Sequence, residues 1–307
     1  MDIVVENLTK SFERKKAVES ISFTAKKGEI LGFLGPNGAG KTTIMKILSG
    51  FLYPDEGNIF YGNYSIYKHK AKIKRTIGYL AEHNPLYNEM NVIDFLFFIA
   101  KLYNIPRYKT TARVLDMLRL CGLENEKHKL IRELSKGYCQ RLGMAQALIH
   151  DPDILILDEP TTGLDPNQII EIRDIIKKVK EDKTIILSSH VLAEIETTCD
   201  RVMIMSHGKI VADGTASELR KKSASEHCLR LAIKGGETNH IYEALSLLPQ
   251  IKNIDKLNRQ TFELEYTPGE EIEKIIFDLC HNNNWYITEL TPIQARLEDI
   301  FHKVTQN

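Results

Sequence analysis

The stretch GPNGAGKT, Gly35–Thr42, constrains this chain more than any other part of it. A short apolar run, EILGFL, precedes it, and the helical pattern KTTIMKILSG follows. It fits G-x-x-x-x-G-K-[ST] in the strand–turn–helix setting that motif needs, where free backbone N–H groups and the helix dipole meet an anion. Gly35, Gly38 and Gly40 let the backbone close around phosphates without Cβ clashes, with Pro36, Asn37 and Ala39 between them. Lys41 neutralises the β/γ oxygens, Thr42 can ligate Mg²⁺, and Thr43 can donate to a phosphate. A glycine turn that merely enters a helix is the alternative, and the full pattern outweighs it. The motif predicts nucleoside triphosphate binding on an α/β scaffold.

A second run, ILILDEP (Ile154–Pro160), reads as a buried strand that delivers Asp158 to the metal side of such a site. Glu159 follows, positioned to polarise an attacking water. His190, after the strand TIILSS, could hydrogen-bond the γ-phosphate and that water. Three polar ends then converge on one edge of a sheet, where open α/β sheets bind ligands. Two adjacent carboxylates could instead form a solvated corner, and a lone His at a strand end is more often structural.

The chain has 307 residues, enough for one large or two unequal domains. Lys+Arg and Asp+Glu both number 41, so no overall field favours nucleic acid or an anionic membrane. The basic run KHKAKIKR (Lys68–Arg75) reads as a solvated helix face. Five scattered cysteines without a CxxC pair fit a reducing cytosol and argue against a disulfide framework or zinc site. MDIVVENLTK lacks the basic start of a signal peptide, and VIDFLFFIAKLY is too short and interrupted to span a bilayer.

The first part alternates strand-like and helix-like segments, and residues 91–150 read as a helical insertion. HGKIVADGT looks like a hairpin with Gly turns at both ends. Composition turns polar at RKKSASEH, which places a boundary near 220–226 and divides the chain into domains 1–222 and 225–307. The second reads strand–helix–strand–strand–helix–strand plus a last helix, ARLEDIFHKV, a ferredoxin-like order. Leu229, Leu231, Ile233 and Phe262, Leu264, Tyr266 make its period-two faces. It holds no nucleotide motif, so regulation, subunit contact or simple packing is its expected role.

LSKGYCQR (Leu134–Arg141) opens a helix with a second anion-binding corner. GPNGAGKT, LSKGY, LILDEP, GLD (Gly163–Asp165) and SSH occur in the order found in ATP-binding cassette ATPases, which the chain resembles over residues 1 to 220. The resemblance implies two such domains, as a homodimer or heterodimer, packed head to tail around two ATP molecules. Ser135 and the Gly137 amide would hold the γ-phosphate bound to the other protomer, with Asp165 across the interface. Lys136 and Tyr138 depart from the family's usual LSGGQ, and a solvent-facing Lys136 is the simplest expectation. Phe12 matches the position that stacks on adenine, or it fills the core. Glu82 replaces a loop Gln that touches Mg²⁺ and senses the membrane partner.

YLAEHNPLY, LSKGY and the extra C-terminal domain resemble exporter-type systems, particularly gliding-motility-associated ATP-binding subunits of bacteria. The resemblance implies a cytoplasmic ATPase, peripheral on the inner face of the membrane, that powers an integral-membrane permease on a separate chain and binds no nucleic acid. The alternatives are a non-transport cassette ATPase of translation or DNA repair, or a nucleotide-dependent regulator. No [NT]KxD guanine-reading motif occurs, which disfavours a GTPase.

Overall fold

In the computed structural model of the chain, which describes residues 1–13, 15–223, 227–267, 271–293 and 301, two long strands precede the phosphate loop. β1 (Ile3–Phe12) and β2 (Lys15–Ala25) pair antiparallel, which corrects the strand–helix alternation expected from the start of the chain. Ile3, Val5 and Leu8 on one strand and Ile21, Phe23 and Ala25 on the other are buried, the spacing of a sheet with one face on a core. β3 (Ile30–Leu34) and α1 (Lys41–Leu48) flank the phosphate loop. β4 (Glu56–Tyr61) and β5 (Tyr64–Ser65) then return to the first sheet, giving the order β2-β1-β4-β5.

A short helix, α2 (Lys70–Thr76), leads into β6 (Ile77–Leu80). Helices α3 (Val92–Leu102), α4 (Arg107–Leu120) and α5 (Lys136–Leu148) follow with no strand between them. Alternation then resumes with β7 (Ile154–Asp158), α6 (Pro166–Val179), β8 (Thr184–Ser189), α7 (Leu192–Thr198) and β9 (Arg201–Ser206). The main sheet runs β10-β9-β3-β8-β7-β6, where β10 (Lys209–Gly214) is the antiparallel edge strand and the rest are parallel. The hairpin expected at HGKIVADGT therefore has RVMIMS as its first arm, turning at His207 and Gly208. Every residue of β3, β7 and β8 is buried, as strands covered on both faces require. Leu34 pairs with Ser189 and Asp158 with Ser188, so the carboxyl ends of these three neighbours sit side by side.

The chain divides into two compact units between Thr215 and Ala216, just before the polar stretch at 220–226. The second unit begins with α8 (Ala216–Ser223) and continues through β11 (His227–Lys234), α9 (Thr238–Ser246), β12 (Ile251–Lys256), β13 (Thr261–Tyr266), α10 (Ile272–Asn282) and β14 (Tyr286–Ile293). Its sheet order, β12-β13-β11-β14 with every pair antiparallel, is the ferredoxin-like one. Leu229, Leu231, Ile233, Phe262 and Leu264 are fully buried with Ile241, Leu245 and Ile276 of the two helices, and Tyr266 is partly buried. Each such buried Leu or Phe contributes roughly 2 kcal/mol. The expected last helix falls on residues outside those described, apart from Phe301. Among the described residues, no helix is long and apolar enough to cross a membrane.

Candidate active site

The loop between β3 and α1 is shaped by its glycines. Gly40 has φ 105°, and a Cβ there would stand 2.3 Å from the Ala17 carbonyl oxygen. Any side chain at that position would push β2 away. The N-terminus of α1 has no side-chain cap, which leaves its N–H groups for an anion. Lys41 is the first residue of α1 and is buried; its Nζ donates to the Gly35 carbonyl at 2.7 Å and the Pro36 carbonyl at 3.3 Å. The same ammonium lies 3.5 Å from Glu159 Oε1.

Asp158 and Glu159, consecutive at the end of β7, are held by one hydroxyl on β8. Ser188 Oγ donates to Asp158 Oδ1 at 2.7 Å and accepts the Glu159 N–H at 3.0 Å. Thr42 Oγ1 also donates to Asp158 Oδ1, at 3.3 Å. Burial raises the Asp158 pKa above the ordinary carboxylate value, opposed by the two hydroxyls and assisted by the charges of Glu82 and Glu159. A cation beside it would relieve that penalty. Asp158, Thr42 and Glu82 supply hard oxygen donors, the kind Mg²⁺ takes. Among the described residues no cluster of three or more His, Cys, Asp or Glu could hold an ion, so phosphate oxygens would have to complete the shell.

Glu159 has φ 49°, left-handed for a residue with a Cβ, at a cost on the order of 1–3 kcal/mol. Its carboxylate is fully engaged. Oε2 meets His190 Nδ1 at 2.8 Å and accepts from Thr162 Oγ1 at 3.2 Å, while Oε1 faces Lys41. Behind this group, Glu194 on α7 accepts at Oε2 from the Thr161 and Ser189 hydroxyls. Ser189 in turn accepts the Val191 N–H at 3.0 Å. The loop carrying Glu159 and the strand end carrying His190 are therefore tied to one carboxylate. Ser188, Thr161, Thr162 and Glu194 are missing from the sequence-based site. The usable signal was an acidic residue four positions after His190, at the start of a short helix.

Lys41, Thr42, Glu159, Thr162 and His190 line a cleft of about 530 Å³, which Asn37, Gly38, Gly40, Thr43, Glu82 and the β2 residue Lys15 also border. Asp158 sits just behind it, bonded to Thr42. Glu82 reaches the cleft from the segment after β6. Phe12 is 49% exposed at the end of β1, paired in register with Lys15, so it does not fill the core. Ala81, Asn84 and Pro85 line a larger cavity of about 760 Å³, together with Phe51, Tyr79 and Tyr103. The two cavities thus share the segment that carries Glu82.

Ser135, Gly137 and Asp165 do not line this cleft. Ser135 caps α5, accepting the Tyr138 N–H at 3.4 Å, and Asp165 caps α6, accepting from Asn167 and Gln168 at 3.0 Å each. The two caps pack together. A Cβ on Gly137 would stand 2.5 Å from the Gln168 amide carbon, and one on Gly163 2.2 Å from Lys136 Nζ. Lys136 is exposed, as the sequence suggests, with its ammonium lying over Gly163. Tyr138 packs under Arg141, with the guanidinium carbon 4.2 Å from the ring centroid.

The ABC transporter family model matches residues 18–162. The linearmycin resistance ATP-binding protein LnrL of Bacillus subtilis is 36% identical over 306 residues, which make up 98% of this chain and 97% of the relative. The bacitracin transport ATP-binding protein BcrA of Bacillus licheniformis is 39% identical over 223 residues, 72% of each chain. A solved ATP-binding subunit of an ABC transporter has a TM-score of 0.67 at 27% identity, covering 80% of this chain and 100% of that one. The likeness runs through the phosphate loop and the strand of Asp158 and, in the first relative, on through the second unit. This chain belongs to the ATP-binding subunits of ABC transporters, and it is an ATPase.

Proposed function

We propose that the chain works as a head-to-tail pair of ATPase subunits that powers a bacterial exporter, whose permease is a separate membrane-spanning polypeptide. The observation that carries the pairing is the position of Ser135: it caps a helix outside the cleft lined by Lys41, Thr42 and Glu159. The corner formed by Ser135, Gly137 and Asp165 then serves the nucleotide held by the partner's phosphate loop. Within one composite site Lys41 clamps the phosphates, Phe12 stacks on the base, and Glu159 takes the proton of the attacking water. His190 orients that carboxylate. Thr42, Asp158 and Glu82 hold Mg²⁺, which supplies charge neutralisation on the phosphate oxygens.

The segment that places Glu82 in the cleft also lines the larger cavity, and this supports a coupling role for that cavity as the permease seat. The ATPase is then peripheral on the cytoplasmic face. A cross-complementation experiment tests the pairing. In a mixed dimer of Lys41→Ala and Ser135→Ala subunits, one composite site carries both lesions and the other neither. Activity above that of both mutant homodimers is expected; activity no higher than theirs ends the in-trans assignment.

Two narrower readings differ in cargo. The motif resemblance favours a gliding-motility exporter, and a deletion strain would then lose surface spreading. The names of LnrL and BcrA favour an antibiotic exporter instead, and deletion would then raise sensitivity to linearmycin or bacitracin while spreading persists.

A further inference from the structure

The run KHKAKIKR is left unused by the site. Lys68, Lys70, Lys72, Lys74 and Arg75 place five cations in and just before α2, whose buried residue is Ile73. In a chain with equal numbers of acidic and basic residues, this is a strong local excess. Ion pairs engage basic residues elsewhere, such as Lys10 with Asp55 and Lys183 with Asp151. Among the described residues none of these five has a carboxylate partner.

Aromatic rings fill the gaps between the cations. Lys70 Nζ lies 4.3 Å from the centroid of Tyr53, and Lys72 Nζ 4.0 Å from that of Tyr64. Lys74 Nζ stands 5.8 Å from the Phe51 ring. Phe51 is 71% exposed, Tyr67 48% and Tyr53 43%. Crowded like charges repel unless counter-anions gather on them, and exposed rings beside them gain by leaving water.

We infer that the exposed surface of α2 and of the turn before it, with Lys70 beside Tyr53 on one flank, Lys72 on the other and Lys68 and Tyr67 preceding them, docks on the anionic phospholipid headgroups of a bilayer. Cations with apolar stems and amphipathic rings are the side chains that settle at the headgroup level. A cluster of four to eight such cations is what an anionic leaflet attracts. Nucleic acid fits less well. Its single-stranded bases need open ring faces for stacking, and here Tyr53 and Tyr64 already carry an ammonium over theirs. The inference does not depend on a permease. Lys74 and Arg75, which line the larger cavity, are set aside from the test for that reason.

The full chain is sedimented with vesicles of phosphatidylglycerol mixed with phosphatidylcholine, and with pure phosphatidylcholine. Binding to the anionic vesicles alone is expected, weakening as salt is raised. Neutralising one such cation lowers affinity roughly fivefold, so Lys68→Gln/Lys70→Gln/Lys72→Gln together lower it on the order of a hundredfold. Solution ATP turnover of that variant stays at the wild-type level, which shows that it has folded. Equal pelleting with neutral vesicles, or undiminished binding by the triple variant, overturns the inference. So does a single-stranded oligonucleotide or polyglutamate that binds the face more tightly than the vesicles at equal salt. No permease is present in the assay, so a negative result leaves the transport reading untouched.

Discussion

His190 Nδ1 lies 2.8 Å from Glu159 Oε2, so the histidine at the end of β8 holds the carboxylate at the end of β7. In the proposed mechanism Glu159 accepts the proton and His190 orients it through this contact. Glu159→Gln keeps the side chain's shape and its neighbours but removes the base. Hydrolysis should fall about 10²–10⁴-fold. ATP affinity should hold or tighten, because Lys41 loses the anion that competes with phosphate 3.5 Å away. Turnover within a few-fold of wild type, beside a normal nucleotide titration, would remove Glu159 from the chemistry.

Glu194 supports the same pair from behind through Thr161 and Ser189. Glu194→Ala frees both hydroxyls, and small displacements of Glu159 and His190 should cost about ten- to a hundredfold in kcat. The KM for ATP should barely move, since no phosphate contact is lost. Glu194→Gln retains one acceptor oxygen and should recover most of the rate. A purely structural role predicts otherwise: both variants would melt earlier, with normal kcat in the folded fraction.

The parts of this site legible in the sequence are those fixed by local covalent spacing. Gly35–Thr43 cradles an anion because consecutive residues must, and Asp158 and Glu159 announce themselves at the end of an apolar strand. Ser188 and Glu194 act through register and helix docking, which pair Asp158 with Ser188 across two strands. A single chain of letters carries no such pairing. The pairing of β1 with β2 is out of reach for the same reason, and its register is irregular at Val5–Leu8, Leu8–Lys10 and Lys10–Ser11.

Glu82 borders the cleft and its charge helps raise the Asp158 pKa. Glu82→Gln removes a hard anionic donor, so the Mg²⁺ concentration for half-maximal hydrolysis should rise at least about tenfold, with ATP affinity little changed. Protons compete with the metal for Asp158, whose pKa lies above the ordinary value. The wild-type Mg²⁺ requirement should therefore climb as pH is lowered towards the acid range. Identical metal titrations for wild type and variant would return Glu82 to the surface.

Acid stability has a separate origin in the helical segment. His150 stacks on Tyr103, with ring centroids 3.8 Å apart, and its Nε2 meets the Ile77 carbonyl at 3.1 Å. Burial, the largest cause, pulls its pKa from 6.5 down to about 4. Between those values the unfolded chain takes up a proton that the folded chain refuses. The contribution is therefore complete above pH 6.5 and is lost progressively towards pH 4, by at most roughly 3 kcal/mol. His150→Phe keeps the stack and cannot titrate, so its urea midpoints should change less over that window. Parallel midpoint curves would place the acid sensitivity elsewhere.

The second unit closes its own core around Leu229, Leu231, Phe262 and Leu264, and among the described residues none of the groups lining the nucleotide cleft belongs to it. A chain ending at Thr215 should therefore fold and bind ATP with near-normal affinity. Calorimetry of the full chain should show a transition that this truncation removes, because each unit buries its own apolar set. A regulatory second unit predicts a further change. Truncation would alter dimerisation by the Glu159→Gln variant in ATP, or the stimulation of hydrolysis by the permease, without lowering the melting of the first unit. Unchanged dimerisation and stimulation would leave the second unit without a regulatory role, and a truncated chain that fails to fold would make it a packing partner of the ATPase unit.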